Sequence, residues 1–311
     1  MKTYCSTFAT IGLCLGLLLQ VLASPLKDLK VSGDTKWLLH LDLESFFSTR
    51  IGRFVNETLI ASQKEQIQTD LKRDFDFDLD WKQIHSITAF GSDYQSQPDT
   101  AAVLLLQTGG ALQAEFHQLL ESKIDTGFGP LEILPIKSQI EHLYSIGGEL
   151  YIALEPEGRF LLGKSRKQIE AAQQLLAKSQ TRALEAEAFT HYPDLPNTII
   201  FLAVADGLGE LASVPPQARI LQMSNGGRLA VCETDKSVLL QVELRTKDKK
   251  TSQQIHSVVQ GMLSLVLLSN ADERLTELAQ AIDVSSGEAM VTLKLELPLE
   301  RAMETLKRFS P

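Results

Sequence analysis

His40, Asp42 and Glu44 stand at every second position where an alternating stretch runs out. If a strand extends that far, one imidazole and two carboxylates share a face. Such a donor set suits Zn²⁺ or another divalent metal, and with it a metal-dependent hydrolase. The same spacing is also what a half-exposed strand shows as it enters a helix, with Asp42 as the N-cap. A second acidic set, Asp74, Asp76 and Asp78, matches the opening of a calcium loop. The match then fails: Leu79 stands where the sharp turn needs glycine, and His85 stands where the bidentate glutamate belongs. We read this set as a polar face alternating with Phe75, Phe77, Leu79 and Trp81, against a looser Ca²⁺ cluster as the other reading. Gly158 to Ser165 fits the phosphate-loop string G-x4-G-K-[ST]. That loop needs irregular backbone to wrap phosphate with N–H groups. Arg159 to Leu162 reads instead as the second strand of a hairpin, and Ser165 with Gln168 as a capping box.

Nothing else in the chain gathers catalytic groups. G-x-S-x-G and H-E-x-x-H are both absent. His117 and His256 fall on amphipathic helices and are assigned to their surfaces. The sequon Asn56-Glu57-Thr58 lies inside a helical pattern and is taken as chance. No catalytic residue and no cofactor is therefore assigned, and His40, Asp42 and Glu44 remain the weak metal candidates.

The first 23 residues read as a signal peptide. Lys2 is followed by an uncharged apolar run from Phe8 to Leu22, and Val21-Leu22-Ala23 suits cleavage after Ala23. That run is shorter than the roughly 20 residues a spanning helix needs. The expected location is secreted or periplasmic. The formal net charge is −9, with no basic tract, which argues against nucleic acid and anionic membrane surfaces as partners. No later run reaches spanning length. Val258 to Leu268 comes closest and is interrupted by Gly261 and Ser264. Cys5 and Cys14 leave with the leader, so Cys232 alone remains and no internal disulfide can form. Cys232 sits in the apolar strand pattern Leu229 to Cys232 and is read as a buried, inert thiol.

The elements that position these residues come in consecutive antiparallel runs with helices between the runs. That pattern is α+β and not alternating βαβ. Residues 24–35 read as a loose leader. Residues 36–180 read as one α+β domain, 197–311 as a second of similar plan, and the polar stretch between them as the boundary. Each domain is expected to hold an antiparallel sheet with helices on one face. Trp37 to Leu43 is the opening strand of the first, followed by a helix from Glu44 to Leu59 or beyond. Ile199 to Ala205 opens the second in the same way, which suggests internal duplication. Leu240, Val242 and Leu244 point inward along a later strand, with Gln241, Glu243 and Arg245 outward. Asn225-Gly226-Gly227 reads as a hairpin turn between two strands. Helices are expected over Lys249 to Leu268 and Asp272 to Ile282. A hairpin then turns at Ser286-Gly287, and a strand covers Met290 to Leu297.

Two stretches, Asp34 to Asp42 and Phe77 to Gly91, resemble a group of uncharacterised secreted bacterial proteins with no assigned activity. Those proteins share a signal peptide, a similar opening strand and a "D-x4-H-x-I-T-x-x-G" segment, here Asp80 to Gly91. Gly163 to Ile169 resembles a strand end and helix start in the same group. The resemblance implies a compartment and a layout and carries over no site. The expected function is a non-enzymatic binding or interaction protein whose partner is an unidentified protein or small ligand. The metal-dependent hydrolase and a carrier of an apolar ligand are the alternatives.

Overall fold

A computed structural model describes residues 35–92, 94, 102–124, 132–137, 142–178, 199–211, 216–269 and 273–307. The strands are β1 Trp37–Asp42, β2 Ile84–Gly91, β3 Val103–Thr108, β4 Ile133–Pro135, β5 Leu143–Ile146 and β6 Leu150–Glu155. They continue with β7 Arg159–Gly163, β8 Ile199–Asp206, β9 Gly226–Glu233, β10 Ser237–Arg245, β11 Ile282–Ser286 and β12 Met290–Pro298. The helices are α1 Leu43–Ser48, α2 Arg50–Phe54, α3 Ala61–Phe75, α4 Gly110–Ser122, α5 Arg166–Lys178, α6 Lys249–Leu268, α7 Glu273–Ala281 and α8 Leu299–Lys307. The class is α+β, as the runs of strands imply.

Two separate sheets do not form. All twelve strands make one sheet in the order β11-β12-β10-β9-β8-β1-β2-β3-β7-β6-β5-β4. Its middle is the antiparallel pair of β1 and β8, with Leu39 opposite Ala203. The two opening strands thus pair with each other, and each half grows outward from that seam. Outward from the seam the second half runs first, second, third, last and last-but-one strand of its chain order. The first half repeats this order and adds β5 and β4 outside.

Alternation along each strand divides the residues between two faces. On one face Leu38, Phe90, Leu105, Leu161, Leu202 and Ala230 pack with Ile169, Ala172 and Leu176 of α5. Of the described helices, only α5 contributes to that cluster. On the other face Leu41, Ile87 and Ile200 pack against Phe46, Ile51, Leu112, Leu299 and Ala302 from α1, α2, α4 and α8. Two further clusters lie outward on this face. One sets Leu120 of α4 over Tyr144, Ile152 and Phe160, and the other sets Ile255 and Val259 of α6 over Leu244, Val284 and Val291.

The helix expected from Glu44 onward is broken twice. Thr49 adopts extended backbone between α1 and α2. Its hydroxyl donates to the Phe46 carbonyl and accepts from the Gly52 N–H, so one side chain ends one helix and starts the next. Val55–Leu59 is a π turn that stops at Ile60. The N-terminus of α2 is also tied across the seam. The Glu233 carboxylate accepts from the Arg50 N–H at 2.7 Å and the Ile51 N–H at 3.0 Å. Glu233→Ala removes both acceptors and strands two helix-end donors. The expected loss is about 1–3 kcal/mol by urea denaturation, and an unchanged midpoint would show that solvent replaces the carboxylate.

Asn225-Gly226-Gly227 is not a turn. Pro216–Met223 is a 3₁₀ helix, Gly226 and Gly227 already belong to β9, and the chain reverses at residues 234–236 before β10. The glycine is there for closeness. A Cβ on Gly227 would lie 3.2 Å from Leu208 Cδ1 and 3.3 Å from Leu244 Cδ2. The expected domain boundary, the signal peptide and residues 24–34 of the expected leader lie outside the described residues, and Thr35, the leader's last residue, is buried.

Candidate functional site

The seam explains the fate of the first metal candidates. β1 is flanked on both edges and covered on both faces, so its polar residues are buried and not half-exposed: His40 is 3% exposed and Asp42 0%. The His40 Nδ1 sits 2.7 Å from the Thr88 hydroxyl, its register partner on β2. Asp42 accepts from the Ser45 N–H at 2.8 Å and is the N-cap of α1, as the spacing implies. Glu44 turns away, its carboxylate lying against the His85 imidazole. The structure therefore does not bring the three together. Among the described residues, no three His, Cys, Asp or Glu side chains are grouped to hold a metal.

The aspartate set is spent on neighbours. Asp76 has left-handed backbone at φ 53° and closes α3. Lys72 reaches both Asp76 at 3.0 Å and Asp78 at 2.7 Å. Asp74 takes the Arg73 guanidinium, whose hydrogen bonds hold the Asp74 carboxyl below its usual range. Asp80 accepts from the Lys82 N–H. The phosphate-loop string is a hairpin arm. Arg159–Gly163 pairs with both β3 and β6, leaving no loop to wrap phosphate. Gly158 turns into it at φ 76°, where an added Cβ would lie 2.0 Å from the Thr108 carbonyl oxygen. Cys232 is buried, and burial pushes its thiol up to about 11, which keeps it protonated and inert.

Burial also shifts one acid of the β6–β7 hairpin upward, Glu155 at the end of β6. Burial is the main influence on Glu155 and raises its carboxyl above the usual 4.5, while the Gln173 amide and the Arg159 charge pull it down. The folded state thus holds this proton to higher pH than the unfolded chain. Stability is lost as pH rises from 4.5 through the folded value. Glu155→Gln keeps an oxygen for Gln173 and has nothing to ionise. The variant should melt at higher temperature than the parent at pH 7.5, with the gap closing as pH falls below 4.5. A gap that does not change with pH would mean that Glu155 is not the titrating group.

The surface that stands out is the outer end of α6 with α7. Asp248 starts α6 by accepting from the Thr251 N–H at 2.7 Å, and that bond holds its carboxyl below the usual range. The first half of α6 is anchored. Thr251, Ser252, Ile255 and Val259 are buried, Ser252 donates to the Met290 carbonyl, and His256 lies 3.2 Å from the Val284 carbonyl oxygen. A helix of this length spans about 30 Å, and its last turns pass the packed region with only Leu263 and Val266 half-buried. Val258, Met262 and Leu265 recur one turn apart beside the anchored stripe, and Leu268 follows. Leu265 is 67% exposed and Leu268 80%. Leu275 of α7 adds another exposed side chain at 54%. No Asp, Glu, Lys or Arg falls between Lys250 and Asp272. Single exposed leucines are ordinary, but here Leu265, Leu268 and their apolar neighbours follow one another along a charge-free helix end. No described helix is long and apolar enough to cross a membrane.

No protein-family model matches the chain, and no curated protein matches it. Among solved structures it is similar to TP0453, a Treponema protein. Crystal form III of TP0453 aligns at TM-score 0.45 and 11% identity, covering 91% of this chain and 98% of that one. Crystal form I aligns at TM-score 0.44 and 9% identity, covering 93% and 99%. No residue role transfers at that distance.

The sequence pointed to the wrong residues for this surface. By sequence, Val258 to Leu268 reads only as an apolar run too short and interrupted to span a membrane. The usable signal was different: the apolar positions outnumber those one buried stripe can hold, and no charge lies among them.

Proposed function

We propose that this is a non-enzymatic binding or interaction protein that takes its partner on the apolar end of α6 and α7. One observation carries the reading: Leu265 and Leu268 are largely exposed on a helix end that bears no charge. Leaving them in water costs roughly 25 cal/mol per Å², and a partner's apolar surface would relieve that cost. A carrier of an apolar ligand, the second reading, would use the same surface. A metal-dependent hydrolase finds no support, because Glu44 is engaged by His85 and His40 by Thr88. The leader pattern of residues 1–23 supports a secreted or periplasmic location, and the repeated strand order of the two halves supports an internal duplication.

A photo-crosslinking residue placed at 265 or 268 of the full chain, with Glu149 as an exposed control, tests the reading in cells. Adducts are expected at 265 and 268 and not at 149, and their mass tells protein from lipid or small ligand. Equal labelling at all three positions, or none, would end the proposal. Leu265→Glu should abolish the adduct at 268 while changing stability by no more than about 0.5 kcal/mol, since it removes no buried contact.

A further inference from the structure

We draw no further inference here: the strongest candidate, the exposed apolar end of α6 and α7, belongs to the surface already described, and nothing in the structure shows what covers it.

Discussion

Arg228→Leu should destabilise the protein by about 3–5 kcal/mol, because it leaves the carboxylate of Glu243 buried without its cation. The two residues are register partners on β9 and β10. Arg228 is 7% exposed and Glu243 1%. Arg228 Nε donates to Glu243 Oε2 at 2.5 Å, and Gln241 donates to Oε1 at 3.1 Å. Both charges have therefore given up water and depend on each other. Combining Arg228→Leu with Glu243→Leu should recover most of the loss, since a buried ion pair contributes little net stability over apolar residues of similar size. Guanidinium denaturation of the two single variants and the double measures the coupling. Additive losses would show that the two charges act separately.

Leu202→Ala should cost about 2–5 kcal/mol, the range for a truncated leucine whose site cannot collapse. Leu202 is fully buried on β8, beside β1, among residues drawn from both halves. The consequence for cooperativity matters more than the magnitude. The sheet is continuous through the seam, so the variant should still unfold in one transition at lower denaturant. Trp81 reports the first half, and Trp37 reports the seam, where it stands opposite Ala205. Their fluorescence should move together with hydrogen exchange in β10, which reports the second half. Separate transitions would mean that the halves are stable without each other.

Local pattern made much of the fold legible. Lys249 to Leu268 is a helix with the bounds its periodicity implies, and Val242 and Leu244 do pack in the core under α6, whereas Leu240 is only half-buried. Asp42 is the cap its position suggests. What failed was any inference that needed a strand's neighbours. Alternation in β1 reads as one wet face, yet β1 lies at the centre of the sheet with both faces covered, so His40 and Asp42 are buried. Glu243 reads as outward and polar for the same reason, and Arg228, fifteen residues earlier, is what lets it be buried. Asn225-Gly226-Gly227 carries the chemistry of a turn, but close packing against Leu208 and Leu244 decides Gly227. The exposed apolar end of α6 was hidden differently. Periodicity reports how apolar a helix is, whereas only the packed structure shows where along its length the neighbours stop.

The β1–β8 seam also bears on how the chain reaches its fold. Each half closes mostly through neighbours near in sequence, while the seam joins Leu39 to Ala203 across the whole first half. Contacts of such long separation are slow to form. Until they do, both halves present a bare strand edge: Leu38 and Leu41 on one, Ile200 and Leu202 on the other. Bare apolar edges pair with whatever edge comes first. At high concentration that edge can belong to another chain, so refolding yield should fall with concentration, and intertwined molecules that trade halves should be among the products.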